Sequence, residues 1–330
     1  MTRDEFVASL GFELDAFQDR SLDALDTGRS VLVAAPTGSG KTVVAEYAVA
    51  KALADGGKAF YTTPLKALSN QKYGDLVRRH GAANVGLLTG DNAINGDAPA
   101  VVMTTEVLRN MIYAGSPSLD GLRYVVLDEV HYLQNAYRGP VWEEVIIHLA
   151  PTVDLVCLSA TVSNAEDFGD WIQTVRGATE VVIEERRPVT LHNLFMVGDR
   201  HLERPLLLPT LVDGRPNPEA EALDRHSAAG RGFRHAPART RSRLYTPRRA
   251  DVVDALAERD MLPAIYFIFS RAACDDAVGH CLNDGIRLTT PEERTAIRAI
   301  AESKVESLSD DDLRVLDYGS WLAGLEAGVA

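Results

Sequence analysis

Ala35-Pro36-Thr37-Gly38-Ser39-Gly40-Lys41-Thr42 is a Gly-rich turn closed by Gly-Lys-Thr, and its flanks decide how it is read. Before it, Ser30-Val31-Leu32-Val33-Ala34 has the composition of a short buried strand. After it, residues 43–53 read as a helix stopped by Gly56-Gly57. A turn between a strand and a helix N-terminus points several backbone N–H groups at one spot, where the helix dipole adds positive potential. Such a turn cradles phosphates. Thr37, Gly38, Ser39 and Gly40 line it, Lys41 meets the outer phosphates, and the Thr42 hydroxyl is left for a magnesium ion. The expected ligand is a nucleotide, ATP with magnesium. Ala35 stands where the strict pattern has glycine.

A second element supports that reading. Residues 122–127, Leu-Arg-Tyr-Val-Val-Leu, are nearly continuous in apolar side chains, as in a strand buried on both faces of a parallel sheet. Asp128-Glu129 follow at the C-terminal end of that run, the edge where open α/β sheets hold their ligands. Asp128 is suited to hold magnesium through water, and Glu129 to orient or deprotonate the attacking water in phosphoryl transfer. Strands 59–62 and 155–158 end in the same way, at Thr63-Pro64-Leu65-Lys66 and at Ser159-Ala160-Thr161. Alternating strands and helices with polar motifs at strand ends predict an α/β fold with a parallel sheet.

Taken together, these residues resemble the superfamily 2 DExH-box helicases, in particular the superkiller-like group with the exosome-associated RNA helicases and the actinobacterial HelY-type helicase. The resemblance covers residues 6–198 well and 251–285 moderately. It implies a RecA-like P-loop NTPase domain followed by the start of a second RecA-like domain. It gives Asp128-Glu129-Val130-His131 the role of the acidic motif, and it makes His131 the expected partner of the Ser159 and Thr161 hydroxyls, which link the nucleotide site to strand movement. Phe12 and Gln18 become an adenine-stacking ring and a base-reading amide; the residues alone would place Phe12 and Phe17 in the core. The start of the helix after Thr63 offers backbone amides and Lys66 to a phosphate. With Pro64, Thr89-Gly90-Asp91, Thr105 and Arg109 it resembles the family's backbone-gripping motifs, although Thr105 alone reads as an ordinary N-cap. Arg138-Gly139-Pro140-Val141-Trp142-Glu143 looks like a family marker whose helix, 142–149, packs beneath the site. Ser163-Asn164-Ala165-Glu166 reads as a capping box.

The expected organisation is a first RecA-like domain over residues 1–185, a crossing segment with an Arg-rich insert over 186–250, and an incomplete second RecA-like domain over 251–330. In the last, Ala264-Ile265-Tyr266-Phe267-Ile268-Phe269-Ser270-Arg271 predicts one buried strand turning into a helix. One strong strand cannot close a parallel sheet, so this region is expected to be mobile or to depend on docking. After Arg271 there is no Gly-Arg-x-Gly-Arg pattern, the motif that supplies arginines to the phosphates in the family. The chain is therefore expected to bind nucleotide and hydrolyse it weakly, as the front portion of a helicase. The competing expectation is a nucleotide-gated binding module or inactive remnant that does not unwind. The implied partner is single-stranded or partly duplex nucleic acid. The spelling Ala67-Leu68-Ser69-Asn70-Gln71-Lys72 favours RNA over DNA, and the resemblance implies partners in RNA degradation.

Composition bounds these readings. The chain has 330 residues, of which 46% are hydrophobic, enough for two domains with at least one sizeable core. No apolar run approaches the roughly 18 residues of a membrane span, and residues 1–11 lack a secretory layout, so a cytoplasmic protein without a membrane partner is expected. Cys157, Cys274 and Cys281 have neither disulfide nor zinc spacing. The net charge of −13 does not exclude nucleic acid, because backbone binding needs only a local basic track. Residues 225–249 hold Arg225, Arg231, Arg234, Arg239, Arg241, Arg243, Arg248 and Arg249 with no acid among them. This segment reads either as a nucleic-acid arm or as a solubilising linker. For an arm, neutralising Arg231, Arg234, Arg239 and Arg241 lowers the salt slope of RNA affinity by about 3 in a titration from low to high salt; an unchanged slope leaves the linker.

Overall fold

Strands that are covered on both faces need an apolar side chain at nearly every position, and the central runs of this chain meet that need. The computed structural model describes residues 2–160, 164–229 and 243–330, which divide into two units, Met1–Leu191 and His192–Ala330. The first unit runs α1 (Arg3–Ala8), α2 (Ala16–Asp26), β1 (Ser30–Ala34), α3 (Thr42–Ala54), β2 (Lys58–Thr63), α4 (Lys66–His80), β3 (Val85–Leu88), β4 (Ala93–Ile94), β5 (Ala100–Thr104) and α5 (Thr105–Tyr113). It continues through β6 (Leu122–Leu127), α6 (Gly139–His148), β7 (Asp154–Ser159), α7 (Ala165–Arg176) and β8 (Thr179–Ile183). The strands form one eight-stranded sheet in the order β4-β3-β5-β2-β6-β7-β1-β8, parallel except for β4 against β3.

Period-2 alternation divides the core between the two faces of this sheet. Val31, Val33, Ala59, Tyr61, Tyr124, Val126, Val156 and Leu158 pack with Phe6 of α1, Leu22 and Leu25 of α2, and Val44 and Ala48 of α3. Leu32, Phe60, Val125, Leu127, Leu155 and Cys157 face the opposite way, onto Leu108 of α5, Trp142 and Ile146 of α6, and Ile172 of α7. Each fully buried Val, Leu or Ile contributes about 1.5–3 kcal/mol. Burial pushes the Cys157 thiol up to about 12, which suits a packing role. The edges are managed locally. Arg79 pairs with Glu46 and lies over the Phe6 ring, which ties α4 to α3 and α1.

Two local expectations shift. The helix beneath the sheet starts at Gly139 rather than Trp142, because Pro140 in its first turn needs no N–H partner. The N-cap of α7 is Asn164 rather than Ser163, and the Asn164 amide oxygen accepts from Gln134 instead of capping the helix. Ser163 lies outside the described residues, as do Thr161 and, in the Arg-rich segment, Arg231, Arg234, Arg239 and Arg241.

The second unit holds β9 (Leu194–Asp199), β10 (Leu206–Pro209), β11 (Leu211–Val212), β12 (Arg215–Pro216), α8 (Pro218–Ala229), β13 (Leu244–Tyr245), α9 (Arg249–Ala257), α10 (Arg271–Asn283), α11 (Pro291–Val305), α12 (Asp310–Val315) and α13 (Tyr318–Ala327). Strands β10-β9-β13 make a small antiparallel sheet, and Asp213-Gly214, both at positive φ, turn the β11–β12 hairpin. Among the described residues, the buried cluster of this unit is small: Ala250, Cys281 and Ile286.

The strand expected at 264–270 is not formed. Residues 264–268 have no ladder partner among the described residues, and Ile265, Phe267 and Phe269 are 83%, 82% and 107% exposed. The apolar run has strand composition, but without a neighbouring strand the segment stays unpaired. The helix after it does form, as α10, with the Ser270 hydroxyl accepting from the Ala273 N–H at 3.3 Å. In amide exchange we expect residues 264–268 to exchange at least about 1,000-fold faster than residues 125–127 of β6. Equal protection in the two segments would contradict the unpaired strand.

Candidate functional site

Three neighbouring parallel strands, β6, β7 and β1, bring their C-terminal ends to one edge of the sheet. The Gly-rich turn follows β1, Asp128-Glu129 follow β6, and Ser159 ends β7. The edge is laced by backbone bonds: Ala35 N–H donates to the Ser159 carbonyl at 3.1 Å, and Asp128 N–H to the Thr62 carbonyl at 3.0 Å. A shift of any one strand would therefore displace its neighbours' loops.

Within the turn, Gly38 and Gly40 have φ of +85° and +83°, the left-handed region where a side chain costs free energy. These two residues curl the backbone into the first turn of α3. A Cβ on Gly40 would stand 2.6 Å from the Gln18 amide nitrogen. Lys41 is nearly buried, Thr37 and Thr42 are more open, and the buried Ser39 hydroxyl has no hydrogen-bond partner among the described residues. An unpaired buried hydroxyl in a curled loop at a helix N-terminus suits an anion. The residues present thus fit a bound nucleotide phosphate chain.

Gln18 is 3% exposed, and its amide is engaged at both ends. Its oxygen accepts from Asp15 N–H at 2.9 Å, capping α2, and its nitrogen donates to the Gly40 carbonyl at 3.0 Å. It therefore braces the phosphate turn as well as standing where a base-reading amide is expected. Phe12 is 53% exposed, and Phe17 is buried in the core. This separates the two rings, which the residue pattern alone could not do.

Asp128 is 8% exposed and its two oxygens have different donors. Oδ1 accepts from Glu129 N–H at 2.9 Å, and Oδ2 accepts from the Tyr61 hydroxyl at 2.8 Å. Burial, reinforced by the Asp128 charge, raises the Tyr61 phenol well above its ordinary range, so it remains a donor. Glu129 sits in the left-handed region at φ 53°, ψ 43°, a strained conformation for a residue with a side chain. Glu129 Oε2 lies 3.3 Å from His131 Nδ1, within ion-pair distance but without hydrogen-bond alignment.

His131 is therefore the neighbour of Glu129 and does not bond the Ser159 hydroxyl, which is buried without a partner among the described residues. The reason is local: Val130–Gln134 form a 3₁₀ turn that keeps the His131 ring beside Glu129 and Tyr132. Thr161 lies outside the described residues. Asp128 and Thr42 are the expected magnesium ligands. Among the described residues no group of three or more His, Cys, Asp or Glu could hold a metal by itself. A metal here would be shared with the nucleotide.

The backbone-gripping candidates fall into two sets. Lys66, Thr89 and Gly90 stand together at the surface, with Lys66 Nζ and Thr89 Oγ1 each 3.0 Å from Asp91 Oδ1. Arg109 is partly buried and bonds Asn110. Pro64 and Thr105, by contrast, are buried. Thr105 is the first residue of α5 rather than its cap, a place taken by Thr104, and the Thr105 hydroxyl points to the Thr63 carbonyl at 3.5 Å. The Pro64 carbonyl accepts from Arg138 Nη2 at 2.6 Å.

Two residues were not singled out for these roles by sequence. Arg138 reaches the Pro64 carbonyl and the Glu106 carboxylate, and lies over the Tyr132 and Trp142 rings. Tyr61 holds Asp128. A buried tyrosine has a hydroxyl that needs a partner, which is the one signal the sequence carried.

Residues 15–168 match the family model described as DEAD/DEAH box helicase. Over 335 residues the chain is 53% identical to helicase HelY of Mycobacterium tuberculosis, covering 99% of this chain and 37% of that protein. It is 38% identical to the chloroplastic DExH-box ATP-dependent RNA helicase DExH15 of Arabidopsis thaliana, covering 98% of this chain and 30% of that one. The chain thus spans about a third of the length of these relatives. The crystal structure of the DUF1998 helicase MrfA superposes with a TM-score of 0.57 at 19% identity, covering 89% of this chain and 43% of that one, a likeness of fold. With the parallel sheet, the curled Gly-rich turn and the Asp-Glu turn at one edge, these similarities show that residues 15–168 carry a DEAD/DEAH box helicase domain of RecA-like fold.

Proposed function

We propose that this chain binds ATP with magnesium at the β1–β6–β7 edge and hydrolyses it there, as part of a helicase that moves along or unwinds nucleic acid. The observation that supports this best is the convergence of the Gly38–Lys41 turn, Asp128-Glu129 and Ser159 at the ends of three adjacent parallel strands. The backbone amides of the turn and Lys41 would hold the phosphates. Thr42 and Asp128 would hold the magnesium, which when bound supplies charge neutralisation on the phosphates. Glu129, held in its strained turn, would accept a proton from the attacking water. Phe12 would stack on the base. The exposed Lys66 and Gly90, with the half-buried Thr89, would meet a strand's phosphates, an electrostatic contact that carries no sequence information.

RNA is the proposed substrate rather than DNA. The support is the Ala67-Leu68-Ser69-Asn70-Gln71-Lys72 spelling and the 38% identity to an RNA helicase. A second reading, a nucleotide-gated binding module without unwinding, is favoured by the unpaired 264–268 segment, since the second unit has no parallel sheet among the described residues.

ATP turnover with and without single-stranded RNA or DNA tests both readings. We expect slow turnover that RNA stimulates, falling about 100-fold or more in Glu129→Gln while nucleotide affinity stays within about threefold. Turnover that survives Glu129→Gln would overturn the assigned base, and binding with no turnover would favour the second reading. Independently, Gly40→Ala should weaken ATP binding about tenfold by calorimetry, because it forces a side chain into the left-handed region and against Gln18.

A further inference from the structure

Tyr61 is 1% exposed, and a phenylalanine would fill its place equally well, as Phe60 does on the other face of β2. The hydroxyl is what differs, and among the described residues it has one partner, Asp128 Oδ2 at 2.8 Å. The strand register explains the meeting: Tyr61 pairs with Val126 in the β2–β6 ladder, and Asp128 lies two residues beyond Val126 on the same face of the sheet. The other carboxylate oxygen takes the Glu129 N–H at 2.9 Å. Two donors from two directions fix the plane of the carboxylate, and each oxygen keeps a lone pair for a further partner. On the ring face, Lys72 Nζ of α4 lies 5.9 Å from the centroid, so the tyrosine is packed as well as bonded. Groups that orient a metal-binding carboxylate govern how well it binds.

We propose that Tyr61 is a positioning residue for magnesium: its hydroxyl holds the Asp128 carboxylate in the orientation that takes up the metal. This rests on the nucleotide-site reading above.

The test is the magnesium dependence of binding of a fluorescent, non-hydrolysable ATP analogue to the whole chain, measured together with melting temperature. In Tyr61→Phe the magnesium midpoint should rise about tenfold, the lower end for loss of a group that orients a ligand. Affinity for the analogue without magnesium should stay within about twofold, and the same change on an Asp128→Asn background should add less than about twofold. Tyr61→Leu, which also loses the ring, should melt lower yet move the midpoint by the same factor. A midpoint that Tyr61→Phe leaves within twofold, while Asp128→Asn shifts it, overturns the proposal and leaves the nucleotide site standing. Midpoints that follow melting temperature through the series also overturn it, because they describe a packing role. If Asp128→Asn itself leaves the midpoint unmoved, the nucleotide-site reading falls and takes the proposal with it.

Discussion

Strand β7 pairs in parallel with both β1 and β6, and the geometry of the site depends on that double pairing. Val156 sits opposite Val31 on one side and Val126 on the other, so one residue of β7 sets the register of two neighbours. A slip by one residue would send Leu155 and Cys157 to the face now filled by Val156 and Leu158, against helices shaped for the other set. It would also remove the bond from Ala35 N–H to the Ser159 carbonyl, from which the phosphate turn departs. The loops at the edge are thus held by the packing of side chains below them in the sheet.

The parts of the fold legible in sequence were those where burial is symmetrical. Residues 31–34 and 124–127 are buried at every position, so their apolar runs are unbroken, and the second run ends at a polar residue, Asp128. The site was legible for the same reason, since Lys41, Asp128 and Ser159 are each placed by the end of such a run. The segment 264–269 shows where this logic stops. Its composition is that of a buried strand, but composition records a capacity to be buried and says nothing about whether a partner strand is present.

Contacts across long sequence separations were also out of reach. Nothing around Tyr61 indicates that its hydroxyl will meet a carboxylate 67 positions later, and nothing near His131 indicates that its ring will stay beside Glu129 instead of crossing to Ser159. Caps shifted by one residue for a more local reason. Thr104 and Thr105 are equally good cap residues, and the choice of Thr104 is made by the end of β5, which leaves Thr105 turned inward.

Arg138 bridges the turn that follows the acidic residues and the helices that carry Lys66 and Arg109. Its guanidinium bonds the Pro64 carbonyl and Glu106 while covering the rings of Tyr132 and Trp142, which uses both the donors and the flat faces of one planar group. The start of α4, the first turn of α5 and the 3₁₀ turn after Glu129 are therefore bolted at a common point. A displacement at the start of α4 would therefore have either to break these contacts or to move Tyr132, three residues from Glu129, along with it.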